Sequence, residues 1–123
     1  MNTERPRLLI VEDDPATAKL LVRHFERDYR VTLARDGEEG LLAAKTASPD
    51  LILADVMMPR LDGLEMVTTL RRAACRVPVI FLTAKAQSAD VIEGINAGCS
   101  HYVAKPFKLD DLSKRVRRSL GRE

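Results

Sequence analysis

Leu51-Ile52-Leu53-Ala54-Asp55-Val56-Met57-Met58-Pro59 decides the fold. Four apolar residues in succession read as a strand buried on both faces, the pattern of a parallel sheet covered by helices on each side. The run ends on a carboxylate and leads into a proline and the turn pair Asp62-Gly63. The interior of such a strand does not tolerate an ionised Asp, so Asp55 is expected where the strand leaves the sheet.

The same design recurs on either side of this stretch. Arg7-Leu8-Leu9-Ile10-Val11 is strand 1 and runs into Glu12-Asp13-Asp14. Tyr29-Arg30-Val31-Thr32-Leu33-Ala34 is strand 2, Val77-Pro78-Val79-Ile80-Phe81-Leu82 is strand 4 and stops on Thr83, and His101-Tyr102-Val103-Ala104 is strand 5 and stops on Lys105-Pro106. Helical periodicity fills the intervals. Asp14 caps helix 1 with Pro15 at its first position. Ala18, Leu21, Val22 and Phe25 form its buried stripe and leave His24 as a surface histidine. Asp36 opens helix 2 with Glu39 three residues on, the spacing of a capping box, and Leu41, Leu42 and Ala44 are its packing surface. Helix 3 begins at Gly63 and buries Leu64, Val67 and Leu70. Helix 4, about Ala89 to Ala97 with Gly98 closing it, contains Gly94 and few large apolar residues, so it should be among the less stable elements. Helix 5 runs from about Lys108 to Leu120 on a stripe of Leu109, Leu112, Val116 and Leu120. Regular alternation of strands and helices predicts an α/β fold with a parallel sheet, three layers of a doubly wound (βα)5 unit.

The 123 residues suit one domain, 1–123 with a core at about 7–120, burying roughly two-thirds of the unfolded surface. No apolar stretch approaches the ~18 residues of a membrane span, and Met1-Asn2-Thr3-Glu4-Arg5-Pro6 has no signal-peptide core. A cytoplasmic protein without membrane contact is expected. Cys75 and Cys99 lack metal-ligand spacing with His24 or His101 and read as reduced thiols. A net charge of +2 is too small to argue for nucleic acid. Lys105, Lys108, Lys114, Arg115, Arg117, Arg118 and Arg122 do crowd the C-terminus, but no aromatic residues interleave them as a stacking platform would need. They read as a solvated face, against direct nucleic-acid binding.

In an open parallel sheet, ligands bind beyond the carboxyl ends of the strands. Strand 1 delivers Glu12 and Asp13 there, strand 3 Asp55, strand 4 Thr83 and strand 5 Lys105, and the order 2-1-3-4-5 would make these four strands neighbours. Three carboxylates forced together repel each other. Mg²⁺, with Mn²⁺ as a substitute, resolves the conflict because it prefers oxygen ligands and shares phosphate oxygens with its substrate. Asp55 is then placed as a nucleophile toward phosphorus, forming an aspartyl phosphate. Lys105 would neutralise the transferring group and the Thr83 hydroxyl would hydrogen-bond one of its oxygens. Asp14 reads as a helix cap and not a ligand. Met57 and Met58 read as packing residues, with any metal contact from Met57 made by its carbonyl.

Ile10-Val11-Glu12-Asp13, Asp55-Val56-Met57-Met58-Pro59 with Asp62-Gly63, Leu82-Thr83-Ala84 and Lys105-Pro106-Phe107 together resemble the receiver domain of bacterial two-component response regulators, over Arg7 to Leu120. The resemblance implies a flavodoxin-like sheet ordered 2-1-3-4-5. It implies that Asp55 accepts a phosphoryl group from a sensor histidine kinase or histidine phosphotransfer protein, with Mg²⁺ arranged by Glu12 (through water), Asp13, Asp55 and the Met57 carbonyl. It also implies a cis Lys105-Pro106 bond and a switch in which Thr83 moves toward the phosphoryl group and Tyr102 turns inward. That switch would reshape the surface of helix 4, strand 5 and helix 5, where a downstream protein or effector domain reads it. The implied activity is phosphotransfer to its own Asp55 and self-dephosphorylation, not turnover. The family's DNA-binding subclass often carries Ala-Asp-Asp-Tyr before the last strand and Arg near helix 4, for a symmetric dimer. Here Cys99-Ser100-His101-Tyr102 and Val91 stand instead, which leaves a monomer or a phosphorylation-dependent dimer. The chain is expected to be either a stand-alone regulator or a receiver from a longer protein. A haloacid dehalogenase-type phosphatase would need a second Asp two residues after Asp55, where Met57 stands, and a binding-only receiver would have lost one of Asp13, Asp55, Thr83 or Lys105.

Overall fold

Five strands, β1 (Arg7–Val11), β2 (Arg30–Ala34), β3 (Leu51–Asp55), β4 (Val79–Thr83) and β5 (His101–Ala104), form one sheet in the order β2-β1-β3-β4-β5. Each neighbouring pair is parallel. The computed structural model describes residues 5–56, 58, 61–83 and 101–121. Among these, α1 (Pro15–Phe25), α2 (Gly37–Thr46), α3 (Gly63–Arg72) and a C-terminal helix (Leu109–Ser119) cover the sheet. Expectations on helix 4, Gly98, Val91, Cys99 and Met57 fall outside the described residues.

All five residues of β3 are buried, as a central strand with helices on both faces requires. The two-residue period then sorts the core into two layers. Ile52 and Ala54 join Leu9, Val11, Val79 and Phe81 against α2 and α3. Leu51 and Leu53 join Leu8, Ile10, Ile80 and Leu82 against α1 and the C-terminal helix. Register aligns the strand ends: Val11 pairs with Ala54, Asp55 with Leu82, and Thr83 with Ala104. The carboxyl ends of β1, β3, β4 and β5 therefore meet along one edge.

Caps set where the helices begin. The Asp14 carboxylate accepts from the Thr17 N–H at 3.0 Å and from the Thr17 hydroxyl at 2.6 Å, with Pro15 as the first helical residue. Asp36 accepts from the Glu39 N–H at 2.9 Å, but Glu39 takes the Arg35 N–H at 3.1 Å and not that of Asp36. The extended backbone at Asp36 (φ −158°, ψ 176°) presents the earlier donor, so the box expected there is half-formed. A complete box stands at Asp62 and Glu65, starting α3.

Four expectations about packing need correction. Leu42 is 64% exposed, because α2 turns Gly37, Gly40 and Ala44 to the core and Leu42 lies on nearly the opposite face, roughly 160° from Ala44. Met66 is fully buried beside Val67 and Leu70, and a Cβ on Gly40 would come within 2.6 Å of its sulfur. His24 is half-buried: its Nε2 lies 2.7 Å from the Ser113 hydroxyl, which joins α1 to the C-terminal helix, and its ring sits edge-on to Phe25. Strands 2 and 4 start later than the apolar runs suggest. Tyr29 precedes β2 and packs on the Phe25 ring at 5.9 Å, while Pro78 precedes β4 and its carbonyl accepts from the Ile52 N–H at 3.0 Å. Having no N–H, proline is suited to that entry position.

Candidate functional site

The Glu12 N–H donates to the Ala34 carbonyl at 3.0 Å, which continues the line of β1 by one residue and turns the Glu12 side chain inward. That side chain is fully buried. Its Oε2 accepts from the Asp14 N–H at 3.2 Å, and its Oε1 lies 3.3 Å from Lys105 Nζ. Asp55 closes β3, and its Oδ2 lies 3.0 Å from the same ammonium. Lys105 follows Ala104 at the end of β5 and reaches past β4 to make both contacts. The Lys105-Pro106 bond is cis.

Glu12, Asp13 and Asp55 each offer a carboxylate oxygen, and these oxygens lie within 4.8 Å of one another. Asp55 stands at the strand's end as expected, yet it is only 7% exposed. The Lys105 ammonium, at 3.0 Å, is among the partners that stand in for bulk water there. Gly63 allows this closeness from the other side. Its N–H donates to the Val56 carbonyl at 3.0 Å, and a Cβ there would collide with the Asp55 carbonyl oxygen and lie 3.0 Å from the Phe81 ring. The start of α3 thus rests directly on the end of β3.

The electrostatics follow from burial and an unequal charge count. Burial is the main cause that pushes the Glu12 carboxyl up to about 7. The Asp14 N–H opposes it, the Asp55 charge and a hydrogen bond to Asp55 add to it, and Lys105 partly offsets it. For Lys105, burial alone would favour the neutral amine, but its bonds to Asp55 and Glu12 outweigh that and raise its pKa. Asp14 moves the other way, held low by the Thr17 hydroxyl and N–H, which confirms its role as a cap. Three carboxylates against one ammonium leave excess negative charge. The donor set is all oxygen, which fits a hard divalent cation of the magnesium type and suits zinc or copper poorly.

Of the residues singled out in the sequence, the fold brings together Glu12, Asp13, Asp55 and Lys105. Thr83 ends β4 between β3 and β5, with its backbone in register with Ala104. Its side chain and all of Met57 fall outside what the structure describes. Tyr102 lies on β5 in register with Phe81 and is 41% exposed. The contributions of Gly63 and of the Asp14 N–H were not anticipated. The Asp62-Gly63 pair signals a turn, but nothing local signals which carbonyl approaches it.

A family model described as the response regulator receiver domain matches residues 8–117. The chain is 39% identical over 123 residues to the DNA-binding response regulator MtrA of Mycolicibacterium smegmatis, covering 99% of this chain and 54% of that protein. It spans about half the length of the curated relatives it matches. The receiver domain of the Francisella response regulator 1452 superposes with a TM-score of 0.90 at 36% identity, covering 96% of this chain and 98% of the other. The receiver domain of the sensor histidine kinase PA1611 from Pseudomonas aeruginosa, solved with a magnesium ion coordinated in its active-site cleft, gives 0.87 at 35% identity, over 95% and 98% of the two chains.

Proposed function

We propose, because this chain belongs to the response regulator receiver domain family, that it is switched by a phosphoryl group carried on Asp55. The observation that carries this reading is the Lys105 ammonium 3.0 Å from Asp55, with oxygens of Glu12 and Asp13 grouped around the same carboxylate. The donor is the phosphohistidine of a sensor histidine kinase or histidine phosphotransfer protein. An Asp55 oxygen attacks phosphorus and forms the acyl phosphate. The P–N bond breaks, and its electron pair returns to the donor imidazole, which takes up a proton.

Each neighbouring residue has work in that step. Lys105 holds the Asp55 carboxylate at 3.0 Å and offsets charge on the phosphoryl oxygens, and the Thr83 hydroxyl hydrogen-bonds one of them. Glu12, Asp13, Asp55 and the Met57 carbonyl would hold Mg²⁺ or Mn²⁺, with Glu12 acting through water. When bound, the ion neutralises charge on the transferring group. The magnesium in the PA1611 receiver supports this reading. Self-dephosphorylation returns Asp55 to its starting state, so the domain, 1–123, signals and does not turn over a substrate.

The readout is a rearrangement in which Thr83 moves toward the phosphoryl group and Tyr102, exposed on β5, turns inward. The surface formed by helix 4, β5 and the C-terminal helix changes with it, and a downstream protein or effector domain reads that change as a monomer or a phosphorylation-dependent dimer. Cytoplasmic placement follows from the kinase partner, and no described helix is long and apolar enough to cross a membrane. The test is incubation with acetyl phosphate and Mg²⁺ followed by intact mass measurement. The chain gains one phosphoryl increment and Asp55→Asn gains none. Labelling that persists in Asp55→Asn would move the acceptor to another residue.

A further inference from the structure

Between β5 and the C-terminal helix runs a groove of about 440 Å³, with Val103 and Phe107 in its lining on the strand side. Lys108, Asp111, Lys114, Arg115 and Arg118 line it from the helix. From Asp111 onward these are spaced i, i+3, i+4 and i+7, so they form one continuous stripe. The helix buries Leu112 and Val116 against the sheet, which fixes the stripe toward solvent. All five polar residues are exposed, and among the described residues Lys108, Lys114 and Arg115 make no ion pair or side-chain hydrogen bond.

Helix energetics account for only part of this charge. Arg117 and Arg118 in the last turn suit the negative end of the helix dipole. Lys108 does not. It occupies the N-cap, where Ser, Thr, Asp or Asn is preferred, makes no side-chain cap, and sets a cation at the positive end of the dipole. Helix folding gives no reason for a cation at this position, which faces a groove with three more.

We infer that the β5 and C-terminal helix groove docks an acidic, extended segment of a partner protein. Charge complementarity sets the sign, with four cations against the single Asp111. A second copy offering the same described groove would bring cation to cation, whereas a two-fold interface must be self-complementary. The phosphates of a nucleic-acid backbone would be repelled by Asp111, whereas a peptide supplies backbone N–H groups to it. β5 is also the edge of the sheet, and a sheet edge presents backbone groups that an added strand can pair. The inference deepens the proposed output surface by naming its partner's chemistry, and for its use in signalling it rests on that reading. Recognition of charge in the groove does not itself require phosphate on Asp55.

The experiment titrates the full chain, by fluorescence anisotropy at low salt, into a labelled peptide of about ten residues alternating Glu and Val. Matched arms use the Gln-for-Glu peptide and a single-stranded oligonucleotide of equal charge. Saturable binding of the acidic peptide is expected, with none of the Gln peptide. Binding should weaken at least about tenfold in Lys114→Glu with Arg115→Glu, two exposed substitutions whose fold is checked by circular dichroism. Lys108→Ser should weaken binding while raising the thermal midpoint, because it supplies the missing cap. Binding should be seen in chelator with no phosphodonor present, where Asp55 carries no phosphoryl group, which separates this test from that of phosphotransfer. Absence of peptide binding, indifference to the charge reversals, or tighter binding of the oligonucleotide would each overturn the inference.

Discussion

At the amino ends of the strands, polar groups close on local partners. Arg7 N–H donates to Asp50 Oδ2 and Asp50 N–H to the Arg7 carbonyl, both at 2.8 Å, while Arg30 N–H reaches the Pro6 carbonyl at 2.9 Å. At the carboxyl ends of the same sheet, three carboxylates face one ammonium and one of them, Glu12, is fully buried. The first arrangement is satisfied by backbone hydrogen bonds and belongs to stability. The second keeps an imbalance that a cation and a phosphoryl group would complete, at a cost to the resting fold. Substitutions should therefore separate: those at the amino ends move stability and leave phosphotransfer alone, and those at the carboxyl ends change phosphotransfer and in one case raise stability.

The largest effect on stability is expected at Gly63. Gly63→Ala drives a methyl group into the Asp55 carbonyl and the Phe81 ring, and should lower unfolding free energy by about 2–3 kcal/mol and impair labelling. Urea denaturation and intact mass measure both, and an Ala variant of unchanged stability would mean that α3 does not rest on β3 as described.

Next is the pH dependence set by Glu12. Its folded pKa of about 7 lies above the ordinary 4.5, so between these values the folded chain binds more protons than the unfolded chain. Stability should therefore fall as pH rises from about 4.5 to about 7, by about 2 kcal/mol without divalent cations. Glu12→Gln should flatten that slope and be the more stable protein at neutral pH while weakening Mg²⁺ binding. Denaturation across pH in a chelator decides it, and an unchanged slope would place the titration elsewhere.

The amino end supplies the two smaller tests. Asp50→Ala removes the acceptor of the Arg7 N–H and should cost about 1 kcal/mol with phosphoryl labelling unchanged. Ala74, just after α3, has φ 63°, a conformation that disfavours a side chain. Ala74→Gly should raise stability by about 0.5–1 kcal/mol and leave labelling untouched. A loss of labelling in either variant would join the two ends that the comparison separates.

Where sequence reading failed, a neighbour distant along the chain was responsible. Leu42 and Ala44 look equally suited to packing on α2, and the packing of α2 on the sheet and on α3 selects Ala44. His24 reads as a surface residue until the C-terminal helix, 89 positions on, brings the Ser113 hydroxyl to it. The capping box at Asp62 and Glu65 is the opposite case: its spacing is present in the letters and the fold completes it, whereas Asp36 and Glu39, with the same spacing, form only half a box.

The sequence alone determined the alternation of strands and helices, the identity of the buried strand faces, and which residue ends each strand. These depend on period, caps and chain breaks within a few residues. The tertiary structure alone decided that Lys105 sits between Glu12, 93 positions away, and Asp55, 50 positions away, and that Glu12 is dry enough to hold its proton near neutrality. Electrostatic energy depends on separation and burial in space, and neither is a property of any short stretch of chain.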